Sequence, residues 1–202
     1  MNLQILSAAL IGYGFGCIQP AYIFSKTIRN IDIRQHGSGN AGASNITTIM
    51  GLKYGVLVGL IDILKGMFAV MTVKWIFPGH PDLAYLSGLF AIIGHIFPFY
   101  MNFRGGKGVA ALAGMMLGVD WRLGILFILL VAIPALLTDY IVSGSFTTFL
   151  ALPIVTAVYG YPTVHIFISI FLTMLCFYLH RGNIQRIIKK EELKISKVIG
   201  KK

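Results

Sequence analysis

"GVAALAGMMLGV", Gly108 to Val119, is apolar from end to end and too short to cross a bilayer as a straight helix. Twelve residues rise about 18 Å, against a hydrocarbon core of about 30 Å. Fused with the apolar run that follows, the stretch would be long enough, but Asp120 and Arg122 would then lie inside the membrane. The choice fixes the number of crossings, and with it which loops share a face.

The rest of the chain leaves no doubt about its solvent. Of 202 residues 56% are apolar and 12% charged, with a mean hydropathy of +0.79, whereas soluble domains carry about 25% charged residues. Seven apolar runs stand out, at approximately 3–25, 53–77, 83–103, 108–119, 123–138, 141–160 and 163–179. The first lacks a basic leader and exceeds a signal core, so it reads as a retained helix. The expected fold is an all-α integral membrane protein: one domain over 1–202 with seven transmembrane helices and a basic tail from about 187.

Charge decides how 108–119 is read. Of seventeen Lys and Arg, fourteen cluster in three places: Lys26, Arg29, Arg34 and Lys53; Arg104 and Lys107; and eight from Arg181 onward. Seven crossings put all three clusters on one side, which the positive-inside rule makes cytoplasmic, with the N-terminus outside and the C-terminus inside. Six crossings would send the eight-charge tail outward. The short run is therefore expected to be a span of its own, tilted or flanked by buried loops. Cys17 and Cys176 lie within apolar runs and have no metal-ligand spacing, so neither a disulfide nor a metal site is expected.

Parity then gathers three polar segments on one face. In "RQHGSGNAGASN" (34–45), Gly37, Gly39 and Gly42 permit positive φ and an inward-turned nest of N–H groups, while Ser38, Asn40, Ser44 and Asn45 add side-chain donors. An ordinary solvated turn draws on the same residues. "FRGGKGVA" (103–110) sets Arg104 and Lys107 among Gly105, Gly106 and Gly108 just before a helix N-terminus, a place suited to phosphate; a positive-inside anchor would also be basic. It is not a nucleotide P-loop, since Met101 stands where the first Gly belongs and Gly108 where Ser or Thr belongs. "HRGNIQR" (180–186) offers His180, Asn183 and Arg186, which share a face if the last span continues. Deeper in the membrane, Asp62 and Lys65 have i, i+3 spacing and can pair, and His95 stands in "IIGHIFP". The basic tail reads as a segment drawn to anionic lipid.

Taken in order, "DIRQHGSGNAGASN", "LIDILKG", "GHIFPFYMNFRGGKGVA" and "HRGNIQR" resemble the motifs of the bacterial membrane acyltransferases that move a fatty acyl group from acyl phosphate to glycerol 3-phosphate. The resemblance implies a seven-helix enzyme of the bacterial cytoplasmic membrane whose product, 1-acylglycerol 3-phosphate, begins phospholipid synthesis. It implies catalytic roles for Ser38, His180 and Asn183. It implies substrate binding by Gly39, Asn40, Gly42 and Asn45, by Gly105, Gly106, Lys107 and Gly108, and, as added cations, by Arg34, Arg104 and Arg186. Acyl phosphate is already activated, so no metal or other cofactor is expected; the partners are the two phosphorylated substrates and membrane lipid, not nucleic acid. Either His180 or a substrate phosphate oxygen can take the acceptor's proton. No His-x4-Asp pair, which resembles the motif of acyl-CoA-dependent enzymes, is present. The chain departs from the family at Thr48, Leu179, Gly182 and Lys190, and reads "GCIQ" where "GSIP" is usual. A transporter of phosphorylated metabolites and a non-catalytic lipid-binding relative are the competing readings; only an enzyme releases phosphate from acyl phosphate when glycerol 3-phosphate is added.

Overall fold

A computed structural model of the protein describes residues 2–199; Met1 and, of the basic tail, Gly200, Lys201 and Lys202 lie outside the described residues. Its helices are α1 (Asn2–Gly16), α2 (Pro20–Arg29), α3 (Ala43–Met50), α4 (Leu52–Ile76), α5 (Pro81–Ile96), α6 (Val109–Val119), α7 (Trp121–Thr138), α8 (Ile141–Val158), α9 (Thr163–Leu179), α10 (Arg181–Ile188) and α11 (Ile195–Ile199). Short 3-10 turns occupy Ile33–Gln35 and Phe99–Met101, and there is no strand among the described residues. This is what hydrocarbon demands, because a helix satisfies its backbone polar groups within one segment. Five stretches are long and apolar enough to cross: Asn2–Arg29, α4, Pro81–Met101, α7 and α8. A sixth is α9 with α10 across a 45° bend, and α6 is a shorter apolar helix.

Asp120 separates α6 from α7. It is extended, at φ −152° and ψ 130°, and its Oδ1 accepts the Arg122 N–H at 2.7 Å at the start of α7. The run at 3–25 departs from expectation, since it breaks after Gly16 and resumes at Pro20, which has no N–H to donate. The break exposes carbonyls that side chains satisfy. Gln19 Nε2 donates to Gly16 at 3.3 Å, Tyr100 Oη to Cys17 at 2.7 Å and Lys65 Nζ to Ile18 at 2.5 Å.

The chain divides within α7, after Ile125, into two compact units. In the first, α4 is the spine. Helix α6 lies along its second half in the same direction, with Gly114 against Ile63, Gly66 against Ala111 and Gly118 against Val70 and Met67. Lys74 closes the far end by donating to the carbonyls of Gly118 at 2.8 Å and Val119 at 2.7 Å. Helix α3 covers the first half, with Thr47 and Ala43 against Gly55. The start of α6 is therefore level with Asp62, about ten residues or ~15 Å along α4. Helix α6 thus faces only the second half of α4, and α3 faces the first. Helix α5 crosses α1 where Gly16 and Gly94 meet with no room for a Cβ on either.

In the second unit α8 and α9 pack through Thr173 Oγ1, which donates to the Phe149 carbonyl at 2.6 Å, and through a hydroxyl pair, Thr156 and Ser169, at 2.9 Å. The tail read from sequence as lipid-attracted is also held by protein. Ser196 gives its N–H to Asp139 Oδ1 at 2.8 Å and its hydroxyl to Oδ2 at 2.6 Å, and the Ile195 N–H reaches the Asp139 carbonyl at 3.0 Å.

Candidate functional site

In the first unit two glycine loops each run into a helix N-terminus. The loop before α3 is wrapped around Asn45, which is 2% exposed. Asn45 Oδ1 accepts the Ser38 N–H at 2.9 Å, and Nδ2 lies 3.0, 2.9 and 2.9 Å from the carbonyls of Ile33, His36 and Asn40. Gly37, at φ 59°, is pressed against that amide. Ser38 and Gly39 are exposed on the outside of the wrap and Asn40 is half-buried. The segment expected as loop through Asn45 becomes helical at Ala43, so Ser44, Asn45 and Thr48 lie on α3. Thr48 is exposed and its hydroxyl donates to its own helix, to the Ser44 carbonyl at 3.1 Å.

Arg34 is held as part of the scaffold. Its Nε and Nη2 fork onto Asp32 at 2.9 and 2.6 Å, and Nη1 donates to the Met101 carbonyl at 2.6 Å. The hydrogen bonds and charge of Arg34 hold the Asp32 carboxyl below the ordinary carboxylate range, and Asp32 in turn raises the Arg34 guanidinium. The Arg34–Met101 bond ties the two loops, as does the Ala41 N–H to the Gly105 carbonyl at 3.4 Å.

The second loop folds back on α5. The Gly105 N–H donates to Ile96 at 2.9 Å and the Gly106 N–H to His95 at 3.0 Å, so these two donors belong to the fold. Arg104 is exposed and Lys107 half-buried. Gly108, at φ 84°, is the N-cap of α6 and Gly42 that of α3; neither helix has a side-chain cap. The first helical bonds are Leu112 N–H to Gly108 at 2.9 Å and Ile46 N–H to Gly42 at 3.1 Å. By helix geometry the N–H groups of Val109 to Ala111 and of Ala43 to Asn45 have no acceptor in their own helix, and they carry the positive end of the dipole. Two such termini with Lys107 beside one of them can bind phosphate.

The third segment lies in the second unit. His180 stands at the bend between α9 and α10 and is buried at 3% exposure. Its Nδ1 lies 2.8 Å from the Cys176 carbonyl, which can only accept, so Nδ1 carries the proton and Nε2 the lone pair. Phe146 stacks on Phe177 at 4.8 Å and meets the His180 ring edge-on at 5.5 Å, which fixes the ring plane. Glu192, absent from the sequence reading, takes Asn183 Nδ2 at 2.6 Å on one oxygen and Arg186 Nε at 2.7 Å on the other. The signal was an acidic pair in a basic tail. Among the described residues no cluster of three or more His, Cys, Asp or Glu could hold a metal.

Comparison with known proteins identifies the family. A model of the family described as glycerol-3-phosphate acyltransferase matches residues 6–190. The chain is 39% identical to glycerol-3-phosphate acyltransferase 1 of Oceanobacillus iheyensis, over 96% of this chain and 97% of the relative. It is 37% identical to a glycerol-3-phosphate acyltransferase of Thermoanaerobacter, over 93% of each chain. Among solved structures it is similar to PlsY (YgiH), an integral membrane glycerol 3-phosphate acyltransferase, in its glycerol 3-phosphate form, with a TM-score of 0.85 and 30% identity over 98% of this chain and 99% of that one. The lysophosphatidic acid form of the same protein matches with a TM-score of 0.79.

Proposed function

The chain belongs to the glycerol-3-phosphate acyltransferase family, and from that premise we propose that it transfers a fatty acyl group from acyl phosphate to the sn-1 hydroxyl of glycerol 3-phosphate. The observation that carries the site assignment is the pair of glycine-capped helix N-termini, at Ala43 and Val109, whose loops are joined through Ala41 and Gly105. Both substrates are phosphorylated, and uncapped N–H groups with Lys107 suit two phosphates better than one. Ser38, Gly39, Asn40 and Gly42 serve the first site and Arg104, Lys107 and Gly108 the second. Asn45, Gly105 and Gly106 act by shaping the loops, and Arg34 by joining them.

The acceptor hydroxyl attacks the acyl carbonyl and forms the new C–O ester bond. The C–O bond to phosphate then breaks and inorganic phosphate leaves. The hydroxyl proton goes to His180 Nε2, for which the Nδ1–H tautomer leaves a lone pair, or to an oxygen of substrate phosphate. Asn183 and Arg186, oriented by Glu192, assist in the third segment. N–H donors stabilise the oxyanion that develops, and holding both substrates supplies the remaining rate through orientation. In this reading α6 counts as a seventh crossing, the N-terminus is outside, the loops and tail face the cytoplasm, and the enzyme works in the bacterial cytoplasmic membrane.

The test is donor choice combined with Lys107→Ala. Acyl phosphate supports transfer and acyl-CoA does not, and Lys107→Ala raises KM for a phosphorylated substrate ~10- to 100-fold, the range for a charge-assisted bond of ~1.5–3 kcal/mol. Unchanged kinetics in Lys107→Ala removes that loop from the site. His180→Ala separates the proton acceptors: a loss not recovered at higher pH assigns the proton to the side chain, and a modest loss assigns it to substrate phosphate.

A further inference from the structure

Inside the first unit, level with the start of α6, Lys65 Nζ makes three contacts: Ile18 carbonyl at 2.5 Å, Asp62 Oδ1 at 2.8 Å and His95 Nδ1 at 2.7 Å. An ammonium has only donors and no acceptor, so in the Lys65–His95 hydrogen bond Nδ1 must supply a lone pair. The proton of the neutral ring is therefore on Nε2. His95 is 3% exposed.

That ring tip points at the α-carbon of Gly106. A Cβ on Gly106 would overlap Nε2, with Cε1 and Cδ2 flanking it at 2.7 and 3.0 Å. The imidazole fills the place of the missing side chain. The backbone of the same histidine holds the same glycine, because the His95 carbonyl accepts the Gly106 N–H at 3.0 Å. Its second lone pair takes Gln19 Nε2 at 2.9 Å. Gly106 is thus gripped on two sides by one residue, one position before Lys107. Ionised groups at this depth are expensive, and an aliphatic trio would pack there at lower cost. What an aliphatic trio lacks is a direction.

We infer that His95 is a positioning residue for acyl transfer: the Asp62–Lys65 pair fixes its ring, and the ring and carbonyl together fix Gly106, which aims Lys107 and the α6 N-terminus at a substrate phosphate. This rests on the reading that the second loop binds phosphate. The role is exerted through the loop, so it acts on substrate affinity rather than on the reacting atoms.

The experiment is an exchange of space across the contact. Asparagine at 95 keeps an acceptor near the Nδ1 position for Lys65 and removes the ring tip. Gly106→Ala alone raises KM for a phosphorylated substrate ~10-fold or more, while the rate at saturation stays within about threefold. His95→Asn alone raises KM less, with the saturating rate similarly kept. In the double variant the added methyl occupies the vacated space, and KM returns to within about threefold of His95→Asn. A double variant no better than Gly106→Ala overturns the inference. So does a His95→Asn enzyme that loses its saturating rate at unchanged KM, since the ring would then act on substrate directly. The unmodified enzyme gives a second reading that does not depend on a variant folding: the ¹⁵N spectrum of His95 shows a protonated Nε2 and an unprotonated Nδ1, and the opposite tautomer contradicts the geometry. Lys107→Ala keeps the two claims apart. With both KM values unchanged in Lys107→Ala, phosphate binding by the loop and the positioning role fail together. With KM raised there but no relief in the double variant, only the positioning role fails.

Discussion

Asn45 was expected from sequence to meet phosphate, and in the structure its amide faces inward to the loop. Replacing it by alanine deletes one accepted bond, from Ser38, and a donor group shared among the carbonyls of Ile33, His36 and Asn40. Two N–H protons cannot fully serve three acceptors, so the loss is about three bonds. At ~1 kcal/mol net for each, and somewhat more for carbonyls left buried, the loop loses about 3–4 kcal/mol, or a factor of several hundred in the ratio of wrapped to open forms. The first-loop site should be populated correspondingly less, and kcat/KM should fall by ~100-fold or more. Asn45→Asp is the sharper probe. It keeps the shape but turns a donor into an acceptor facing three carbonyls, and it should be at least as damaging at neutral pH. Amide hydrogen exchange over residues 34–41 in detergent is the assay. Exchange should rise by ~100-fold in both variants if local opening governs it. Unchanged exchange with a raised KM would refute the reasoning and return Asn45 to direct contact with substrate.

Three further outcomes are expected. Glu192→Ala should release Asn183 and Arg186, expose residues 187–197 to protease and lower activity about tenfold; Glu192→Gln, which keeps an acceptor, should be milder, and unaltered protection and activity would show that the clamp is idle. Asp32 is held below its ordinary pKa by Arg34, so its contribution to stability is present above the unfolded carboxylate value of about 3.9 and is lost as pH falls through the lower folded value. The Tm difference between wild type and Asp32→Asn should be flat near neutrality and shrink in acid, and a difference that grows in acid would reverse the assignment. Single cysteines at His36, Arg104 and Gln185, in a background lacking Cys17 and Cys176, should resist an impermeant thiol reagent in intact cells and label in opened ones. Labelling of any one from outside breaks the shared-face model.

The spans were legible because hydropathy is a local property. The runs read at 53–77, 141–160 and 163–179 become helices at Leu52–Ile76, Ile141–Val158 and Thr163–Leu179. The break at Cys17–Gln19 was not legible, because its carbonyls are satisfied by Lys65 and Tyr100 from other helices. Lys107 and the glycines could be named from their type and from the helix that follows. The direction of their N–H groups could not, since Gly105 and Gly106 donate to the end of α5 by tertiary contact. Arg34 has a partner near it in sequence. Asp32, two residues earlier in the quoted motif, already offered the fork its partner. Charge separated the run at 108–119 from its neighbour, and α6 and α7 are indeed distinct helices, whereas the close packing of α6 on α4 through Gly66, Gly114 and Gly118 is visible only in the structure.

The most direct measurement follows inorganic phosphate and lipid product together in purified protein in detergent, supplied with acyl phosphate, with and without glycerol 3-phosphate. The account predicts phosphate release only when glycerol 3-phosphate is present, matched one for one by 1-acylglycerol 3-phosphate. Release that ignores glycerol 3-phosphate, or no release while both substrates still bind, would contradict it.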